Sequence, residues 1–341
     1  GDKFPENYKE IALLGKGGQG EVYLVEDTER SGELVALKIG SRQDIEHEYQ
    51  VIELMMKHIT DGSIINVYDM GESCGTDRYY LVMDYKQGKD LFTHMGERNQ
   101  EINLFKIFYQ ITKVIDMMHS MSPPMYHCDI KPENIMVTSD GDAYLIDFGY
   151  STNIPEFIKG YTPVYTPIES YIKRMSQRDQ TNLNNTYVYN SGAYTAKYSL
   201  NVDLYAIATS ILYYFIYVTY GVRLDQLGTW DITEITHSET IHFLNIDAIQ
   251  NFIDTQTDFY PKLSEKGGET FVRLIQTLIF LSPEIRVYDD DGYKTYHVTI
   301  REKKLTTMES PPVIVTASQL LDSFDRDLSS TSFLVSEDSF T

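Results

Sequence analysis

Hydrophobic and polar positions change their period near residue 85. Before that point the apolar runs are short and rich in β-formers. Ile11-Ala12-Leu13-Leu14 runs into a glycine cluster, Glu21 to Glu26 resumes, and Leu34 to Ile39 follows the Ser31-Gly32 turn. Strand, glycine turn, strand predicts a hairpin, and Tyr79 to Tyr85 supplies a last strand. One helix interrupts them: Ser41 with Asp44 has the form of an N-terminal cap, and Ile45, Tyr49, Ile52, Met56 and Ile59 recur at helical spacing.

From Asp90 onward the helical period dominates. Leu104, Ile107, Phe108, Ile111, Val114, Ile115 and Met118 mark one face of a long helix that ends near Pro123-Pro124. A strand pair around Ile135 to Val137 and Ala143 to Ile146 comes next, then an irregular segment to Glu169 and an apolar helix from about Val202. Ser170 to Leu200, rich in Asn, Thr, Gln and Tyr, has little periodicity and reads as a surface insertion. A helix near Ala317 to Phe324 closes the folded part, before an acidic Ser/Thr-rich end expected to be mobile. The organisation is α+β: a β-rich lobe over 1–85, a mainly helical lobe over 86–326 with insertions near 170–200 and 288–314, and a tail over 327–341.

Composition narrows the partners. A chain of 341 residues, 42% hydrophobic, is long enough for two lobes around a shared cleft. Its formal net charge of −21 argues against nucleic acid and against an anionic membrane face, and suits a basic partner or basic peptide substrate. The only cysteines, Cys74 and Cys128, have neither disulfide-framework nor zinc-ligand spacing, so a reducing, cytoplasmic setting is expected. No signal peptide is expected from the opening residues. Leu204 to Val222 approaches membrane-spanning length, but Thr209, Ser210 and five tyrosines interrupt it, and a buried core helix is expected there rather than a span.

Candidate chemistry begins with Gly15-Lys16-Gly17-Gly18-Gln19-Gly20, glycines at the spacing GxGxxG. Glycine leaves no side chain between backbone N–H groups and a polyphosphate. Alone the pattern also fits an ordinary turn or a dinucleotide fingerprint, but a strand follows it rather than a helix, against the latter. Lys38 ends an apolar strand, where a lysine can simply snorkel at the rim. At 100° per residue Glu48 falls between Ile45 and Ile52 on the apolar helix face, where a carboxylate needs a partner, and Lys38 is the natural one. The run His127-Cys128-Asp129-Ile130-Lys131-Pro132-Glu133-Asn134, with Asp147-Phe148-Gly149 beyond it, then sets a proton acceptor, a cation and two metal-ligand types on neighbouring loops. Phosphoryl transfer from a nucleotide to a hydroxyl requires those groups.

These motifs, in this order, resemble the eukaryotic-type protein kinases over about Tyr8 to Phe324. The resemblance implies a two-lobed fold and Mg-ATP in the cleft. It also implies that Asp129 accepts or orients the substrate hydroxyl proton, that Lys131 steadies the γ-phosphate, that Asn134 and Asp147 hold Mg²⁺, and that Lys38 reaches the α- and β-phosphates. Met83 would guard the back of an adenine pocket, the backbones of Asp84 and Lys86 would bond the adenine edge, and Val22, Ala36 and Met136 would sandwich the ring. Asp90 matches an acidic position that contacts ribose or a basic peptide side chain, and it equally fits a helix N-cap before Leu91. Lys131 and Thr162 resemble the serine/threonine-type arrangement. Asp203 resembles the aspartate that braces the catalytic loop, and Glu169 with Arg286 a buried ion pair.

The chain departs from the family mildly at Pro167-Ile168-Glu169, which stands for Ala-Pro-Glu and keeps the glutamate, and in two further respects. Cys128 stands where an arginine usually precedes the catalytic aspartate, which weakens the expectation of activation through a phosphorylated loop. The two insertions have no counterpart. Two other readings stay open on the sequence: a catalytically silent nucleotide-binding scaffold, and a kinase-fold enzyme acting on a small molecule.

Overall fold

The computed structural model describes residues 4–17, 20–153, 162–167, 202–233, 240–276, 314 and 316–330. Its first part is a five-stranded antiparallel sheet of β1 (Tyr8–Gly17), β2 (Gly20–Asp27), β3 (Glu33–Ser41), β4 (Val67–Glu72) and β5 (Arg78–Asp84), in the order β1-β2-β3-β5-β4. Side chains alternate across a strand, so β3 serves both faces. Val35, Leu37 and Ile39 join Tyr80 and Val82 in a small core on one side, while Ala36 packs on the other with Leu81 and Met83. Lys38 shares that second side. β3 runs three residues past Lys38, which is therefore an interior position and not the strand end expected from its apolar run.

The expected helix is α1 (Arg42–His58), capped by Ser41, whose side chain accepts from Asp44 N. Ile45, Glu48, Val51, Ile52 and Met55 are its buried face, so the one carboxylate read onto that face is indeed enclosed. β4 was not foreseen: Val67 to Glu72 alternates poorly, contains Gly71 and carries a bulge against β5.

The second part is mainly helical. α2 (Leu91–Gly96) and α3 (Leu104–His119) lie in the chain between β6 (Gly88–Asp90) and β7 (Ile135–Thr138), which form a second sheet with β8 (Ala143–Leu145). α4 (Val202–Tyr220) is the helix long and apolar enough to cross a membrane among the described residues, and 89% of its apolar window is buried inside the protein. It is packed as the core helix that its sequence suggested. β9 (Thr229–Thr233) and β10 (Thr240–Leu244) form a hairpin that the helical reading overlooked, and β10 packs against the turn Pro163–Tyr165. α5 (Ile246–Thr255) and α6 (Phe259–Ile275) follow, α6 breaking at Gly267 and Gly268.

α7 (Ala317–Ser329) opens with a full capping box between Thr316 and Gln319. It runs three residues into the stretch assigned to the tail, with Asp327 buried, because Asp327 receives Thr270 N at 2.9 Å and also its hydroxyl. Those bonds supply a cap to the second half of α6 just after its break. The insertions near 170–200 and 288–313, the rest of the tail, Gly18, Gln19, Glu169 and Arg286 lie outside the described residues.

Candidate active site

A cleft of about 670 Å³ opens between the five-stranded sheet and the β6-β7-β8 sheet. Of the residues singled out in the sequence, Gly15, Lys16, Gly17, Gly20, Val22, Ala36, Lys38, Met83, Asp84, Lys86, Asp90, Asn134, Met136 and Asp147 line it. Glu48, Asp129 and Lys131 do not, although Glu48 bonds Lys38 and Asp129 bonds Asn134, both of which do. Motif reading missed Ile65, Thr93 and Ile146. Ile65 lies between α1 and β4 with no motif around it, whereas Ile146 directly precedes Asp147 and was available as a signal.

The glycines divide by role. A Cβ at Gly15 or Gly17 would meet nothing within 4 Å, which leaves the lip of the β1–β2 hairpin open over the cleft. Gly20, at φ +134°, would drive a Cβ to 1.8 Å from Ile39 O. Its lack of a side chain lets β2 approach β3. Lys16, mostly exposed, faces Glu21 across the hairpin at 3.9 Å.

On the sheet side, Lys38 Nζ donates to Glu48 Oε2 at 2.8 Å and lies 3.9 Å from Asp147 Oδ1. Burial works against the lysine's charge, but Glu48 and then Asp147 outweigh it and hold the ammonium above its usual range. Burial likewise pushes the Glu48 carboxyl up, against the pull of Lys38. The contact geometry favours the charged pair, since Glu48 Oε1 also accepts from Phe148 N at 3.3 Å. Phe148 is buried, its ring edge-on to His127 with centroids 5.0 Å apart.

On the other side Asp129, Lys131 and Thr162 form a closed triangle. Lys131 Nζ donates to Thr162 Oγ1 at 3.0 Å, Thr162 Oγ1 donates to Asp129 Oδ1 at 3.1 Å, and Lys131 Nζ lies 3.7 Å from that same oxygen. Asn134 Nδ2 donates to Asp129 O at 2.8 Å and to Asp129 Oδ2 at 3.1 Å. Burial raises the Asp129 carboxyl above its ordinary range, with Lys131 and then His127 opposing.

The loop holding this triangle is bent at Cys128, a non-glycine residue at φ +68°. Such a backbone costs on the order of 1–3 kcal/mol and needs external support. Asp203, fully buried on α4, supplies it: Oδ2 accepts His127 N at 3.0 Å, Oδ1 accepts Cys128 N at 2.9 Å, and His119 Nε2 sits 2.7 Å from Oδ2. Burial alone would raise the Asp203 carboxyl, yet the His119 bond and the other donors bring it below the usual carboxylate range.

A model of the protein kinase domain matches residues 8–288. The chain belongs to the protein kinase family. Among curated relatives, it is 29% identical over 164 residues to a probable serine/threonine-protein kinase PknB of Lactococcus lactis, covering 46% of this chain and 25% of that protein. It is 35% identical over 164 residues to calcium-dependent protein kinase 4 of Plasmodium falciparum, covering 44% and 30%. With CBL-interacting protein kinase 15 of Oryza sativa it shares 32% over 152 residues, covering 43% and 34%. The matches thus span between a quarter and about a third of these relatives' own lengths.

For a protein kinase, the donor set suits a magnesium nucleotide. Asn134 spends both amide hydrogens on Asp129, which leaves its Oδ1 as an acceptor; Asp147 adds a carboxylate whose Oδ1 takes Gly149 N at 2.9 Å. Mg²⁺ favours such sparse protein coordination, taking its remaining ligands from phosphate and water. At the back of the cleft Asp84 N is committed to Asn66 O at 2.9 Å, so a ligand bond at Asp84 falls to its carbonyl. Asp90 caps α2 through Thr93 N and Thr93 Oγ1, as its N-cap reading expected, and it also lines the cleft.

Proposed function

We propose that the chain transfers the γ-phosphoryl group of Mg-ATP to Ser or Thr hydroxyls of protein substrates. The observation carrying this reading is the Asp129–Thr162–Lys131 triangle, joined to a nucleotide-sized cleft through Asn134, which lines the cleft and donates to Asp129. Asp129 presents Oδ1 to the incoming hydroxyl and takes its proton as the oxygen bonds to phosphorus and the β–γ bridging bond breaks. Lys131 stands 3.7 Å from that carboxylate, close enough to stabilise charge on the transferring group. Lys38, held by Glu48, addresses the α- and β-phosphates. Mg²⁺ bound through Asn134 and Asp147 would neutralise phosphate charge. The adenine would lie between Val22 and Ala36 above and Met136 below, with Met83 behind it and the Asp84 and Lys86 backbones at its edge.

Cys128 occupies the place of the family's usual arginine. Burial, then Asp203 and Asp129, push its thiol well up, so the side chain is an uncharged packed group with nothing to offer a phosphate. Activation through phosphate binding at that position is therefore not part of the reading. The net charge of −21 favours basic protein substrates, and free Cys74 and Cys128 suit a reducing, cytoplasmic setting. The test is transfer of labelled γ-phosphate to basic Ser/Thr and Tyr peptides, with Asp129→Asn as control. Transfer to Ser/Thr peptides that falls by at least roughly 10²–10⁴-fold in the variant is expected. Wild-type-like turnover by Asp129→Asn would overturn the proposal.

A further inference from the structure

Neighbouring residues of α1 grip the same short segment at two points. Glu48 accepts from Phe148 N, and His47 Nε2 lies 2.7 Å from Ser151 O. A carbonyl can only accept, so the imidazole donates. Between those points the chain closes a turn, Ser151 N donating to Phe148 O at 3.1 Å, and Gly149 N returns to Asp147 Oδ1. Ser151 is fully buried, and its hydroxyl donates to His127 O at 3.2 Å. Thr152 then pairs with Tyr126 through both backbone bonds, at 2.9 and 3.0 Å. A polar path thus runs from α1 through Ser151 to the loop that carries Asp129.

We infer that His47 is a positioning residue, which clamps residues 147–152 to α1 and keeps Asp147 turned toward the cleft while Glu48 holds Lys38. The inference rests on the proposed phosphoryl transfer for its catalytic consequence, but the clamp itself is a statement about the segment. His47 is suited to it. Successive helical side chains diverge by 100°, so a residue next to Glu48 reaches a different point of the same segment. The partner is a backbone carbonyl, which no side-chain modification removes. The clamp needs neither a phosphate nor a cation at residue 128, because it ties α1 to residues 147–152 through hydrogen bonds to the backbone.

The experiment compares wild type, His47→Ala and His47→Gln in the full chain, the glutamine keeping an N–H donor at similar reach. One hydrogen bond of ordinary strength corresponds to roughly a two- to twelvefold shift in an equilibrium. Amide exchange at Gly149, Ser151 and Thr152 should therefore quicken by about that factor in His47→Ala and return toward wild type in His47→Gln. In steady state kcat should fall by a similar factor, with the KM for ATP within about twofold, because the apolar walls of the cleft do not depend on the clamp. Unchanged exchange in His47→Ala, or a glutamine variant as impaired as the alanine, overturns the inference. Should the wild type transfer no phosphate to any peptide, the functional reading fails by itself and the exchange comparison still decides the clamp.

Discussion

Lys38 and Glu48 meet at 2.8 Å with side-chain exposures of 11% and 2%, joining β3 to α1 where the sheet turns toward the cleft. The pair is buried but not isolated, since Asp147 stands 3.9 Å from the same ammonium. Lys38 therefore sits between one carboxylate that orients it and another assigned to the metal.

That arrangement makes Glu48→Ala more damaging to turnover than to stability. Removing one member of a buried pair typically costs about 3–5 kcal/mol. Here the freed ammonium can turn to Asp147, so a loss nearer ~1–3 kcal/mol in urea unfolding is expected, with kcat down at least about 10³-fold, or about 4 kcal/mol, as Asp147 is drawn from its task. Equal losses in both readouts would contradict this. A pH effect accompanies it. Because the folded state holds Lys38 above its unfolded value of ~10.4, its contribution is complete below that pH and fades as the pH rises through the higher folded value. Lys38→Met should flatten that alkaline decline.

Asp129 governs the acid side of the rate profile. Burial raises its carboxyl and Lys131 holds it down, so the acid limb of kcat/KM should fall above the ordinary aspartate value of ~3.9. Lys131→Met removes the restraint and should move the limb further upward, in addition to lowering the plateau. A limb that stays in place in the variant would show that another group is being titrated.

The glycine-rich hairpin allows folding and binding to be separated. Gly20→Ala places a methyl carbon against Ile39 O at a φ that alanine rarely adopts, and should destabilise by roughly 1–3 kcal/mol or more in thermal unfolding. Gly17→Ala meets open space and should change stability by less than about 1 kcal/mol, while weakening nucleotide affinity by crowding the cleft. Isothermal titration with ATP and Mg²⁺ reads the second effect. Similar stability losses at both positions would refute the division of roles.

α7, the last helix among the described residues, is part of the fold although it lies beyond residues 8–288, the span that matches the family. Asp327 caps the restarted half of α6 through Thr270, and Phe324 is buried edge-on to Phe105 at 5.1 Å. Asp327→Ala leaves Thr270 N without its partner and should cost about 1–3 kcal/mol, measured by chemical denaturation. An unchanged midpoint would mean that water replaces the carboxylate without penalty.

Much of the site was legible in the chain because local chemistry is dense there. Spacing alone placed Glu48 on the apolar face of α1, and an enclosed carboxylate needs a cation, which named Lys38. Ser41, Asn134 and Asp147 follow from short-range patterns, as do the strands of the first hairpin and the long amphipathic α3. β4 and the β9–β10 hairpin were missed because their alternation is weak and their stability comes from pairing with distant chain.

Residue types at fixed spacing carried the family and the lobe order, and they named the candidate reacting groups. Tertiary structure alone decided how those groups are held. Nothing in the sequence around His47 points to Ser151, 104 positions away, or sends Asp327 to cap α6, and no motif distinguishes Gly20 from Gly17. Those relationships depend on which backbone groups are left unpaired after the elements pack. That is a property of the assembled fold, because burial creates the need for a partner only once neighbours have excluded water.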